Sequence, residues 1–187
     1  DEVSAIYSAS DALGSVIGAF VKVLILTGQR RSEISELEWS ELTHNQIKIS
    51  GDRSKNGKTI TTPLTHTTAL VLNTVPRNSG RYIFSTTYGR RPIGNFSRVK
   101  LELQKMSQTK NWTFHDFRRA MATHLRHGGT TTNDIASLLN HVDRSVTAIY
   151  DRADKSKQKK QALQRWNSMV LACEHGEFSQ KIEDTNF

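Results

Sequence analysis

The run His115-Asp116-Phe117-Arg118 places an imidazole and a guanidinium three positions apart, so a helix would direct both from the same side. A second arginine, Arg30, lies in Thr27-Gly28-Gln29-Arg30-Arg31-Ser32-Glu33, with Glu33 at helical spacing from it. Tyr150 follows Leu138-Leu139-Asn140-His141. Two arginines can grip a phosphate bidentately and stabilise charge on its oxygens as a transition state forms. An imidazole can move a proton near neutral pH. A phenol, with a free pKa of about 10, becomes a nucleophile only beside cations or a base. Together the set suits attack on a phosphodiester by a tyrosine hydroxyl while guanidiniums hold the phosphate.

Each residue also has a plainer reading. Arg30 and Glu33 form an ordinary surface ion pair worth roughly 0–1 kcal/mol in that view, and His115 packs or caps a helix start. Arg119 competes with Arg118 for a phosphate but projects about 100° away from it. Lys55, in Ser54-Lys55-Asn56-Gly57-Lys58, sits in a turn between two strands, where it is either a solvated lysine, a groove contact or the proton donor to a leaving oxygen. Lys58, on the other arm of the turn, is its competitor. Tyr150 alone would be a core or surface aromatic, and Tyr7 is expected to pack on a first helix. Tyr82 and Tyr88 fall in the basic stretch 81–91, where DNA contact is an option. The seven histidines show no metal-ligand spacing such as H-E-x-x-H, and no carboxylate cluster suggests two-metal chemistry. No glycine-rich phosphate loop precedes a helix. Arginines in place of a metal fit this inventory.

The elements that must position these groups are mostly helical. Val3, Ile6, Ala9 and Leu13 mark one face of a first helix, and residues 16–26 are apolar on most faces, as in a buried helix. A short helix carrying Glu33, Ile34 and Leu37 is expected next. Residues 39–42, 46–49 and 59–62 read as three short strands of a small antiparallel sheet, with turns at 43–45 and 51–57 and Pro63 closing the last strand. Helical pattern resumes after Thr65, over 95–106 and over 115–125, ended by Gly128-Gly129. Thr131 or Thr132 caps the next helix, with Ile135, Leu138 and Leu139. Ala162, Leu163, Trp166, Met169, Val170 and Cys173 form a last apolar stripe. A polar, loose tail is expected after Glu174. The fold class is mainly α with a small antiparallel β-sheet, one domain.

The bulk properties agree. A chain of 187 residues with 36% hydrophobic and 24% charged residues can build one core under a wet surface. The longest apolar run, 16–26, is interrupted by Lys22 and is short for a bilayer. The single cysteine, Cys173, excludes an internal disulfide framework and fits a reducing cytosol. The net charge of +8 is concentrated in residues 51–100, where nine Lys and Arg face Asp52 alone. Such a stretch is either a solvated surface or the footprint of a polyanion-binding face.

In this order the motifs resemble the catalytic domain of the tyrosine recombinases, the phage-integrase family. Thr27 through Glu33 resembles the first arginine box, which makes Arg30 the first active-site arginine and Glu33 its support. Ser54-Lys55-Asn56-Gly57-Lys58 ahead of Thr61-Thr62-Pro63-Leu64 resembles the hairpin lysine segment and makes Lys55 the general acid. His115 and Arg118 match the H-x-x-R box. Leu138-Leu139-Asn140-His141-Val142-Asp143-Arg144-Ser145 matches the next box and contributes His141, and Tyr150 falls at the nucleophile's place. The resemblance covers residues 1–173, and its wording is similar to prophage and genomic-island integrases. Asn140 departs from the family's usual glycine, but asparagine tolerates left-handed backbone angles.

The resemblance implies a concrete reaction. Arg30 and Arg118 hold the scissile phosphate, Tyr150 forms a 3′-phosphotyrosine, Lys55 protonates the 5′-oxygen, His115 assists the proton transfer and His141 hydrogen-bonds the phosphate. No cofactor, metal or ATP is needed. Arg53, Lys58, Arg90, Arg91 and Arg119 are expected to contact DNA. The implied partners are double-stranded attachment sites, three further protomers in a homotetramer and accessory DNA-bending proteins, with no membrane, in a bacterial cytoplasm at the nucleoid. The family's separate core-binding domain implies that 1–173 is the C-terminal catalytic domain of a longer integrase, monomeric and weakly binding by itself, with 174–187 a tail. The last apolar stripe packs either on its own domain or on a neighbouring protomer. A type IB topoisomerase-like activity and a non-cleaving DNA-binding accessory protein are the alternatives.

Overall fold

The computed structural model describes residues 2–54, 57–140 and 155–183. Lys55, His141 and Tyr150 lie outside the described residues. The elements run α1 (Glu2–Ala9), α2 (Gly14–Thr27), α3 (Arg31–Ser35), β1 (Gln46–Ile49), β2 (Ile60–Pro63), α4 (His66–Asn73), α5 (Phe96–Met106), α6 (Phe114–His127), α7 (Thr132–Leu138) and α8 (Ser156–Glu183). Mainly helical architecture with one small antiparallel sheet is the expected class.

Helix α2 is apolar on most faces because it has neighbours on most sides. It packs against α3, α4, α6 and α8, and Phe20, Val21, Val23, Leu24, Ile25 and Leu26 are all buried. Counted through the 3-10 turn that joins α1 to α2, Glu2–Thr27 is 26 residues long and apolar enough, by length and composition, to cross a bilayer. The run 16–26 taken by itself is too short to meet that length. Half of that window is buried inside the protein, as suits a core helix.

An aromatic cluster locks α6 to α2 and α5. Phe20 lies 5.8 Å from Phe84 and 5.7 Å from Phe96, and Trp112 lies 5.2 Å from Phe117, all in edge or tilted geometries that aromatic rings favour. Asp116 starts α6 by accepting hydrogen bonds from Thr113 N (2.8 Å) and Thr113 Oγ1 (2.7 Å). Thr131 caps α7 by accepting from Asp134 N at 3.1 Å.

Two of the three expected strands form. β1 and β2 pair antiparallel, Gln46 opposite Pro63 and Ile49 opposite Ile60. Residues 39–42 do not join them. Trp39–Glu41 is instead a 3-10 turn flanked by single bridges, Glu38 to Tyr82 and Leu42 to Ile47. The reason is local: the Glu41 carboxylate accepts from Glu38 N at 3.0 Å, which curls the chain over three residues.

The last apolar stripe packs on its own domain. Ala162, Leu163, Trp166 and Val170 are buried, and Trp166 Nε1 donates to Ile25 O at 2.8 Å. The helix runs on to Glu183, past the point where the sequence reading begins its polar tail.

Candidate active site

Gly28 ends α2 in the left-handed region, φ 60°, with its N–H donating to Leu24 O at 3.0 Å. The chain then extends through Gln29 and Arg30, and α3 begins at Arg31. This turn brings Arg30 to the mouth of a short helix. Glu33 reaches back with one oxygen to Arg30 N (3.0 Å) and the other to Arg30 Nη1 (2.8 Å). The Glu33 side chain is 3% exposed and that of Arg30 is 21% exposed, so the pair is well shielded and carboxylate geometry fixes the guanidinium. The plain surface ion pair is therefore not what forms.

Arg118 occupies the inward face of α6. The buried residues of that helix are Phe114, Phe117, Arg118, Met121 and Leu125, and Arg118 is 3% exposed among them. A charge so covered requires partners. Arg118 Nη1 donates to Gly28 O at 2.9 Å, and Nη2 donates to Leu139 O. Burial first, and the positive charge of Arg30 second, push the Arg118 guanidinium down to about 10, with Glu33 opposing. It stays protonated at neutral pH, and its bond to Gly28 O anchors it two residues along the chain from Arg30.

Gln29 and Asn140 complete the cluster. The buried Gln29 donates from Nε2 to Leu138 O (3.1 Å) and to Thr27 O (3.3 Å). Its Oε1 accepts from Asn140 Nδ2 at 3.0 Å. Asn140 has φ 50°, the left-handed conformation expected of the residue that replaces glycine there. The end of α2 is thus stitched to the end of α7 by two side chains, Gln29 and Arg118, that both read backbone carbonyls. Neither Gln29 nor this use of Asn140 emerged from the sequence. The one available signal was a polar residue set between a helix-ending glycine and an arginine.

The structure brings together Arg30, Glu33 and Arg118. His115 is exposed, one turn before Arg118 on α6. Arg119 is exposed and donates to Asp116 Oδ1 at 3.3 Å. Arg53 is committed elsewhere: Nε and Nη2 donate to the two Glu41 oxygens at 2.9 and 2.7 Å, and Glu36 lies 3.5 Å away. Lys58, Arg90 and Arg91 are exposed. Lys55, His141 and Tyr150 fall outside the described residues, so the completed constellation rests on the sequence motifs. Among the described residues no group of three His, Cys, Asp or Glu side chains could hold a metal ion.

The domain is mainly helical and sets a half-buried arginine, Arg30, and a buried one, Arg118, at the junction of two helix ends. The model of the Phage integrase family matches residues 1–157, and the chain belongs to this family. It is 28% identical over 157 residues to prophage integrase IntA of Escherichia coli K12, covering 81% of this chain and 38% of that protein. It is 28% identical over 174 residues to tyrosine recombinase XerD of Listeria innocua, covering 85% of this chain and 58% of that protein. The chain spans about half the length of these curated relatives. Among solved structures, XerA recombinase superposes with a TM-score of 0.62 at 21% identity over 88% of this chain and 61% of that one. A lambda integrase dimer bound to a COC′ core site superposes with a TM-score of 0.60 at 23% identity, over 82% and 59% of the two chains. These likenesses establish the fold.

Proposed function

We infer that the chain is the catalytic part of a site-specific DNA recombinase of the prophage-integrase type. The observation that carries this is the pairing of Arg30 with Arg118, brought by two distant segments to one shielded spot, each oriented by a fixed partner. Glu33 is one carboxylate against two guanidiniums, so the spot keeps a net positive charge that a phosphodiester anion would offset.

In this reading Arg30 and Arg118 hold the non-bridging oxygens of the scissile phosphate. The Tyr150 oxygen attacks phosphorus, the P–O5′ bond breaks, and Lys55 delivers a proton to the departing 5′-oxygen. The tyrosine proton leaves with assistance from His115, and His141 hydrogen-bonds the phosphate. The product is a 3′-phosphotyrosine and a free 5′-hydroxyl. A partner strand's 5′-hydroxyl reverses the step, so the bond energy is kept and neither ATP nor metal enters. Relatives of this fold are known as a dimer on a core site and as a tetramer on a Holliday junction, which supports double-stranded DNA and a homotetramer as partners. Lys58, Arg90, Arg91 and Arg119, all exposed, are the DNA contacts of this reading; Arg53 contributes by shaping the turn it braces. Accessory DNA-bending proteins and a cytoplasmic, nucleoid-associated location belong to the same reading.

The test is a suicide DNA substrate nicked beside the scissile phosphate, incubated in EDTA at low salt. A covalent protein–DNA adduct on a denaturing gel, lost in Tyr150→Phe, is expected. Absence of adduct on a site the protein demonstrably binds would favour the non-cleaving accessory protein instead.

A further inference from the structure

Residues 85–91 form a loop whose backbone is held by hydrogen bonds while Thr86, Thr87, Tyr88, Arg90 and Arg91 are exposed. Ser85 Oγ accepts from Thr87 N (3.1 Å) and Gly89 N (3.0 Å), and Thr87 Oγ1 accepts from Arg91 N (3.0 Å). Gly89 O accepts from both Arg81 N (3.0 Å) and Tyr82 N (3.2 Å). A Cβ on Gly80 would lie 2.3 Å from Tyr88 O, so the two arms of the loop touch backbone to backbone. Phe84, at the loop's base, packs on Phe20 in the core.

At the tip of this fixed loop stands Tyr88, with φ 55° and 84% of its surface exposed. A bulky side chain rarely takes this backbone conformation, which suits glycine and asparagine. Three of the other four non-glycine residues with positive φ among the described residues are asparagines. The Tyr88 ring buries too little surface to compensate within the fold. Such an outlier points to a use outside it. Arg90 and Arg91 follow, both exposed and neither with a side-chain partner among the described residues. From residue 53 to residue 101 the sequence has no Asp or Glu at all, against nine Lys and Arg. The neighbouring Arg81 is paired with Glu38, whereas Arg90 and Arg91 are not so paired, and two such arginines beside one projecting ring match a nucleic acid better than a protein surface, since phosphates take the guanidiniums and base faces or sugars take the ring.

We propose that residues 85–91 are a second DNA contact, separate from the Arg30–Arg118 cluster, in which Tyr88 lays its ring on DNA and Arg90 and Arg91 grip flanking phosphates. The proposal rests on DNA being the partner and does not depend on cleavage. Arg31 over the Phe96 ring, at 4.5 Å, ties the start of α3 to the segment leaving this loop, so the contact and the arginine pair belong to one connected frame.

The experiment uses the full-length protein, a fluorescent 30-base-pair duplex and a salt titration. Tyr88→Gly relieves the backbone strain and removes the ring, so it is expected to hold or raise Tm while weakening duplex binding about five- to tenfold. Tyr88→Phe is expected to bind within twofold of the natural protein. Replacing both Arg90 and Arg91 with Gln should lower the slope of log affinity against log salt by about 1–2. Tyr88→Gly binding DNA within twofold of the natural protein, at unchanged or higher Tm, overturns the proposal, as does a change confined to self-association, which would make the loop a contact between copies. Natural protein that binds DNA but forms no adduct defeats the cleavage reading and leaves this one standing. Natural protein that binds no duplex at low salt defeats both.

Discussion

Gly28→Ala probes the turn on which the arginine pair depends. Gly28 has φ 60°, where an L-residue with a Cβ is disfavoured by about 1–2 kcal/mol. The new Cβ would also stand 2.3 Å from Met121 Cε and 2.9 Å from Met121 Sδ. A methionine tip is flexible, but Met121 is fully buried, so its displacement disturbs packed neighbours and costs about 1–3 kcal/mol. Together these give a loss near 3 kcal/mol, or a fall in Tm of roughly 6–12 °C for a domain of this size. Differential scanning fluorimetry measures it directly. The second readout is adduct formation at a low temperature where the variant stays folded. Gly28 O orients Arg118, so adduct formation is expected to slow at least tenfold. A Tm within 1 °C of the natural protein would falsify the packing argument. A destabilised variant that cleaves at the natural rate would show that the turn does not position Arg118.

Three further outcomes are expected. Asn140→Ala loses both the Gln29 hydrogen bond and a residue suited to φ 50°, so urea denaturation should show a loss of about 1–2 kcal/mol; Asn140→Gly, which keeps the backbone preference, should lose less. Asp116 is held below the ordinary aspartate range, first by the Thr113 hydroxyl, then by Thr113 N–H and Arg119. Because its folded pKa is the depressed one, its contribution is present above the unfolded value of about 4 and is lost as pH falls through the folded value. The stability gap between the natural protein and Asp116→Asn should therefore be flat above about pH 5 and narrow as the pH falls below about 4, and a gap that does not narrow there would contradict this. Trp166→Ala removes a fully buried ring and its bond to Ile25 O, so a loss of about 3–5 kcal/mol is expected in the monomer itself; unchanged monomer stability would mean that the stripe packs elsewhere.

Much of the architecture is readable from local pattern. All-round apolarity marked α2 as a core helix, Thr131 was one of two threonines able to start α7, and Asn140 announced a left-handed turn. The motif residues could be ordered along the chain because their types limit their chemistry. Arg118 even lies in register with Phe114, Phe117, Met121 and Leu125, so its inward direction was legible once that face was drawn. The strand reading of residues 39–42 failed because alternation cannot report a carboxylate, Glu41, that folds back onto Glu38 N.

What only the tertiary structure decided is who holds whom. Arg118 finds its acceptors 90 and 21 residues away, and Gln29 meets Asn140 across 111 residues. The acceptors of Arg118 are backbone carbonyls, which every residue carries, so no residue type announces them. Arg53, expected from its charge to contact DNA, is held among Glu36, Glu38 and Glu41, because nearness in space, set by the 3-10 turn and the hairpin, chose these partners. Sequence specifies which groups are present and which face each takes on its own element. The distances that convert those groups into a charged, shielded site arise when the elements pack.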